Sequence, residues 1–158
     1  MSRDGMIETL ARWRVGLGFV SGVLVFVLAR PTVRSLVPGT LVAIVGEGLR
    51  VWAAGHLNKS REVTSSGPYR WTAHPLYLGS SIMGARLAIG SGSLAAAVLI
   101  ALYLGITLTA AIRSEEAFLR KTFGSEYDRY RRRDASGPAA GRRFSLSRAI
   151  SNREHRAA

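Results

Sequence analysis

Two short segments of the chain hold the side chains whose types and spacing suit chemistry. The first is Ser66-Gly67-Pro68-Tyr69-Arg70-Trp71-Thr72-Ala73-His74-Pro75-Leu76-Tyr77-Leu78-Gly79. Gly67 and Pro68 punctuate a turn. Pro75 fits the first position of a helix, where a missing N–H costs nothing, which leaves His74 at the cap. The free N–H groups of such a helix start suit a carboxylate or phosphate. Gly79, near the same start, would let a ligand approach the backbone closely. The second segment runs from Arg113 to Tyr130 and places Leu119, Phe123, Tyr127 and Tyr130 at helical spacing. Glu115 lies one turn before Leu119 on that face, and Glu116 is spaced for an i,i+4 ion pair with Arg120. Each segment has a plainer reading too. Tyr69 and Trp71 suit a headgroup-level anchor, and a charge-rich helix suits a solvated membrane surface. A Glu-Glu pair at the edge of an apolar run, opposite a His-bearing helix cap, is more specific than either.

The elements that must position these residues are apolar. Residues 15–29 carry no charge, residues 36–57 carry Glu47 and Arg50 with His56, residues 76–89 carry Arg86, and residues 93–112 carry none. A helix rising about 1.5 Å per residue crosses a core of about 30 Å in some 20 residues. Four such stretches between residues 15 and 112 make a soluble core a poor account of them. A secretory signal peptide, with Arg12 and Arg14 ahead of Val27-Leu28-Ala29, is the alternative for the first stretch. The later stretches commit the chain to the membrane whichever holds there.

The expected fold is therefore an all-α integral membrane protein with about four transmembrane helices, near 13–31, 36–57, 75–90 and 93–113. Gly90-Ser91-Gly92 permits only a tight hairpin between the third and fourth. A cytoplasmic amphipathic helix is expected over 114–133, closing a membrane domain of residues 1–133. Residues 134–158 read as a flexible basic tail. The hairpin brings the segment before the third helix close to the segment after the fourth.

Charge sets the orientation. Lys and Arg number 22 against 10 Asp and Glu, a net +12 on a chain of 158 residues that is 47% hydrophobic. Arg3, Arg12 and Arg14 precede the first span; Lys59, Arg61 and Arg70 lie in the second connection; 12 of the 22 basic residues follow Ile112. Only Arg30 and Arg34 fall in the first connection. The positive-inside rule then puts both termini and the two chemical segments in the cytoplasm, where the Asn58-Lys59-Ser60 sequon would be silent. The apolar content excludes intrinsic disorder. The absence of Cys excludes a disulfide scaffold and thiolate metal sites, and no metal is expected. No nucleic acid is expected either, because attraction of the basic tail to anionic lipid headgroups accounts for the charge of a membrane protein better.

Taken together, Gly-Pro-Tyr-x4-His-Pro-x-Tyr-x-Gly, an apolar hairpin, and Glu-Glu-x2-Leu-x3-Phe-Gly-x2-Tyr-x2-Tyr resemble the isoprenylcysteine carboxyl methyltransferase and phospholipid N-methyltransferase superfamily. Gly46 to Leu57 is similar to the helix that precedes this core, so the likeness covers roughly residues 40–131. It implies an S-adenosyl-L-methionine site, with S-adenosyl-L-homocysteine as product, at the cytoplasmic face. Gly67, Tyr69, His74, Pro75, Tyr77, Leu78 and Gly79 would line it, and Glu115 and Glu116 would complete it. Arg113 would orient the acceptor or the cofactor carboxylate. The family usually has Arg before His-Pro, where this chain has Ala73, so Arg70 or Arg113 must supply that contact if it is made.

Methyl transfer from a sulfonium is an in-line displacement that needs positioning, desolvation and handling of a proton. A lipid or lipid-anchored carboxylate would need a cation such as Arg113 or Arg50. An amine would need a base, either a carboxylate of raised pKa or His74. Glu47, Arg50 and Arg86, charges at membrane depth, form a lipid-headgroup cavity or a helix-locking bridge of Glu47 to Arg50 or Arg86. Two other functions fit the same outline: a nicotinamide-dependent membrane reductase with a similar cofactor region, and a non-catalytic scaffold with a lipid-binding tail.

Overall fold

A computed structural model of the chain describes residues 3–58, 61–132, 141 and 143–154, with side chains from residue 16 to residue 152 of that set. The sequon at 58–60 and the tail residues 133–140 and 155–158 fall wholly or partly outside the described residues. The elements are α1 (Arg3–Leu28), α2 (Val33–His56), a 3-10 turn (Gly67–Arg70), α3 (Pro75–Gly90), α4 (Leu94–Phe123), α5 (Ser125–Arg131) and α6 (Leu146–Glu154). No strand occurs among the described residues. Two helices, α2 and α4, are long and apolar enough to cross a bilayer; the apolar run Gly16–Leu28 of α1 is shorter. Phe19, Phe26 and Leu94 are 75%, 85% and 82% exposed by the chain itself. Large apolar side chains left this open call for lipid around them rather than water. The protein is an all-α membrane protein.

The chain divides into two compact units, Met1–Ile44 with Ser81–Ala111 and Val45–Ser80 with Ile112–Ala158. In the first unit, α3 turns into α4 through Ser91, Gly92 and Ser93, the tight hairpin expected from Gly90-Ser91-Gly92. Gly92 has φ +61°, and a Cβ there would collide with the Arg30 carbonyl. The α1–α2 connection is tied to that turn: Arg30 N–H donates to Ser91 O at 2.6 Å, and Ser35 Oγ donates to Gly90 O at 3.2 Å. A Cβ on Gly39 would sit 3.2 Å from the Arg86 carbonyl, so α2 and α3 meet backbone to backbone. Small residues let membrane helices approach this closely, and dispersion between them does the rest.

In the second unit, the loop after α2 folds back onto the end of that helix. Gly67 has φ +57° and lies over the His56 ring, whose Nδ1 is 3.0 Å from Trp52 O. Within the stretch expected as the basic tail, α6 caps the same helix end. Ser145 N–H donates to Gly55 O at 3.2 Å, and Asn152 Nδ2 donates to Ala54 O at 2.8 Å and Leu57 O at 2.9 Å. The last carbonyls of a helix lack partners within it, and this segment supplies them. Of the helix expected over 114–133, residues 114–123 belong to α4 and residues 125–131 to α5. α4 continues unbroken past Arg113 to Phe123, and the break falls at Gly124, whose φ of +50° favours glycine.

Candidate active site

The site lies within the second unit and is built by the start of α3, the end of α4, and α5. Pro75 opens α3 and is fully buried, and His74 O accepts the first helical bond from Leu78 N–H at 3.0 Å. His74 thereby stands at the cap, with its own N–H taken by Thr72 Oγ1 at 3.3 Å. Its ring reaches the carboxylate of Glu116, with Nε2 3.0 Å from Oε1. These two residues are 42 positions apart in sequence, and both side chains are mostly buried, at 13% and 17% exposure.

Glu116 also faces cations. Arg131 Nη2 on α5 is 3.3 Å from Oε1, and Arg120 Nη2 is 3.9 Å from Oε2. From Arg113 to Phe123, α4 carries five charged residues, a composition that places this stretch beyond the hydrocarbon. The hydrogen bond from His74 lowers the Glu116 pKa; burial opposes it, and Arg131, His74 and Arg120 add to the lowering. A carboxylate of raised pKa, one of the two bases expected for an amine acceptor, is therefore not what Glu116 provides. It is held as an anion, and its contribution to stability is lost only as pH falls through its lowered value.

Around this pair stand aromatic rings. The Tyr77 ring is 5.9 Å from that of His74, and the Arg120 guanidinium lies 5.9 Å from the Tyr127 ring centre. Tyr130 O–H donates to Tyr69 O at 2.8 Å, which ties α5 to the 3-10 turn. Burial, then the neighbouring Tyr127, push the Tyr130 phenol up to about 12. Two buried hydroxyls of this unit, Ser66 Oγ and Tyr127 Oη, have no hydrogen-bond partner among the described residues.

The residues expected to form the site separate into groups. His74, Tyr77 and Glu116 converge; Glu115 is half-buried beside them and adds to the rise in the Tyr127 pKa. Tyr69 is buried and joins through its carbonyl. Arg113 is exposed and makes no ion pair with Glu116; Arg131 and Arg120 stand there instead. Leu78 is exposed. Gly67 and Gly79 are close-packing positions, Gly67 over His56 and Gly79 against α2, where a Cβ would be 3.0 Å from Gly46 O. The neighbour that comes close to Gly79 is thus the protein's own helix. Arg50 Nε is 3.6 Å from Glu47 Oε2 and its Nη1 donates to Ser80 Oγ at 2.5 Å, whereas Arg86 belongs to the first unit. Arg131 and Tyr130 were not foreseen as site residues; the only signal was Tyr130 in the aromatic spacing, and nothing in the sequence marks Arg131 among its basic neighbours.

An S-adenosylmethionine site would need partners for an ammonium, a carboxylate and sugar hydroxyls. The donor set fits: Glu116 for the cation, Arg120 and Arg131 for the anion, and the orphaned Ser66 and Tyr127 hydroxyls for further polar groups.

Comparison with known proteins shows the family to which the chain belongs. Residues 35–126 match the model of the family described as phospholipid methyltransferase. The chain is 36% identical over 115 residues to the nickel-cobalt-cadmium resistance protein NccN of Alcaligenes xylosoxydans xylosoxydans, covering 72% of this chain and 51% of that one. It is 34% identical over 146 residues to the cobalt-zinc-cadmium resistance protein CzcN of Cupriavidus metallidurans, covering 86% and 64%. With the protein-S-isoprenylcysteine O-methyltransferase of Schizosaccharomyces pombe it shares 29% over 92 residues, 58% of this chain and 39% of the other. The chain thus spans between about half and just under two thirds of the length of the first two relatives. No solved structure matches it. On the family match over most of its length, the chain is a membrane protein of the phospholipid methyltransferase family.

Proposed function

We propose that the protein transfers a methyl group from S-adenosylmethionine to a lipid or lipid-anchored acceptor, at a carboxylate or an amine. The observation that carries this reading is the 3.0 Å contact of His74 with Glu116, flanked by Arg131 and Arg120. It gives one buried anion and two guanidiniums at one place, the pattern that a zwitterionic amino-acid moiety requires. The cofactor, when bound, supplies an electrophilic methyl on a sulfonium. The chain's own residues bind, orient and desolvate. His74 fixes the Glu116 carboxylate, the aromatic rings of Tyr77 and Tyr127 wall the site from water, and Arg120 and Arg131 keep a carboxylate in register. For an amine acceptor, the His74 imidazole is the available base, because Glu116 is held as an anion of low basicity. Four spans, with both termini and this site cytoplasmic, complete the proposal; the basic tail would rest on anionic headgroups.

Two relatives are named for resistance to metal ions. Esterifying a carboxylate, or quaternising an amine, removes a donor that would otherwise ligate a divalent cation, which links such a reaction to metal tolerance. A labelled-methyl screen of lipid extracts identifies the acceptor. A product that binds nickel or cadmium as tightly as its precursor would remove that link.

Calorimetric titration of detergent-purified protein with S-adenosylmethionine, S-adenosylhomocysteine and reduced nicotinamide cofactor tests the core of the reading. Both adenosyl compounds are expected to bind, and Glu116→Ala and His74→Ala each to weaken them about tenfold or more, the loss of a charge-assisted contact. Heat from the nicotinamide compound alone would replace the reading with that of a reductase.

A further inference from the structure

The first unit holds a cavity that the methyl-transfer site does not use. Its volume is about 330 Å³, and its walls include Phe26 of α1, Leu36 and Thr40 of α2, Leu87 of α3, Ser91 of the hairpin turn, and Arg86. The walls are mainly apolar. The two hydroxyls are satisfied internally: Thr40 Oγ1 donates to Leu36 O at 2.9 Å and Ser91 Oγ to Ala88 O at 2.7 Å. Arg86 is different. Its guanidinium has five donors and, among the described residues, no protein partner.

Charge bookkeeping explains why none is available. Between residues 16 and 44 and between residues 81 and 111, the charged side chains are Arg30, Arg34 and Arg86, with no Asp or Glu. Arg30 is held next to the cavity by its N–H bond to Ser91 O, and Arg34 precedes Ser35, whose hydroxyl bonds Gly90 O. The backbones of Arg30 and Arg34 thus lie at the hairpin end of the unit, where no described side chain is an anion. An unpaired cation beside apolar walls at membrane depth is costly, and none of the described side chains of the unit is an anion that could pair with it. The bilayer offers one ligand that is both anionic and apolar.

We propose that this cavity binds one anionic phospholipid, with its phosphate on Arg86 and an acyl chain along Phe26, Leu36 and Leu87. A guanidinium meets phosphate oxygens bidentately and is the side chain best shaped for it. The lipid is a bound component and not the methyl acceptor, because none of the residues that line this cavity is among those that surround His74 and Glu116. The inference stands whether or not the chain transfers methyl groups.

The test is native mass spectrometry of the full chain released from detergent in the presence of phosphatidylglycerol or phosphatidylcholine. Wild-type protein is expected to retain one phosphatidylglycerol, with about tenfold preference over phosphatidylcholine, the size of a charge-assisted contact. Arg86→Ala should reduce retention to the phosphatidylcholine level, and Arg86→Lys should restore part of it. Equal retention of the two lipids by wild type, or undiminished phosphatidylglycerol on Arg86→Ala, would overturn the proposal. So would displacement of the lipid by millimolar inorganic phosphate, which would mark a site for the free ion. The wild-type comparison of lipids holds even if Arg86→Ala fails to fold.

Discussion

A phenol that donates to a backbone carbonyl from within a packed cluster resists ionisation, and Tyr130 is such a group. Its hydroxyl is 2.8 Å from Tyr69 O, and burial raises its pKa to about 12 from an ordinary 10. A group whose pKa is raised on folding stabilises fully below its unfolded value and ceases to as pH passes its folded one. Tyr130 therefore supports the fold through pH 10 and is lost as a support near pH 12. Absorbance at the phenolate band should show a late ionisation near pH 12, together with loss of helix signal. Tyr130→Phe should remove that late step and cost about 1 kcal/mol, one hydrogen bond; a titration identical to wild type would contradict the geometry. At this scale the sequence was informative where chemistry demanded rare residues. His74 before Pro75 and the Glu115-Glu116 pair stood out because few structural roles need them. Arg131 did not, since one Arg in the run Arg131-Arg132-Arg133 carries no mark of which carboxylate it will meet.

A helix break decides whether Arg131 and Tyr130 reach the site at all. α4 ends at Phe123 and α5 begins at Ser125, with Gly124 between them at φ +50° and ψ −123°. Nothing lies within 4 Å of where its Cβ would be, so the requirement for glycine there is conformational alone. Gly124→Ala should cost about 1–3 kcal/mol of backbone strain, or relieve it by straightening α4 into α5. Straightening would withdraw Arg131 from Glu116 and Tyr130 from Tyr69. The variant should therefore lose the late tyrosine ionisation and weaken adenosyl ligands while keeping its helix content by circular dichroism. Unchanged binding and titration would show that the break is incidental. Spacing alone made 119, 123, 127 and 130 one helical face, because a period of 3.6 residues continues arithmetically through a glycine that the backbone does not continue through. The helix within the tail is illegible for the opposite reason. Its Ser- and Arg-rich composition has little apolar signal, yet α6 is held by Ser145 and Asn152, hydrogen bonds to carbonyls about 90 residues earlier.

Over the whole molecule the uneven distribution of charge carries the remaining argument. The apolar stretches made an all-α membrane protein legible from the sequence, and the hairpin followed from three small residues. The number of crossings is less legible, because α3, at 16 residues, is shorter than a bilayer core requires unless it tilts or its flanks contribute. Orientation rests on 18 of the 22 basic residues flanking one side of the proposed spans and two, Arg30 and Arg34, the other. That asymmetry predicts that Arg34 and Ser125, both exposed, lie across the membrane from each other. The chain has no cysteine, so Arg34→Cys and Ser125→Cys each introduce a unique thiol. A charged, impermeant maleimide added to sealed right-side-out vesicles should label Arg34→Cys and spare Ser125→Cys; inverted vesicles should reverse the pattern. Labelling of both from one side would remove the four-span topology while leaving the chemistry of His74 and Glu116 untouched. Labelling of each from its predicted side would place that cluster where a cytosolic adenosyl cofactor reaches it from water and a lipid acceptor reaches it from the inner leaflet.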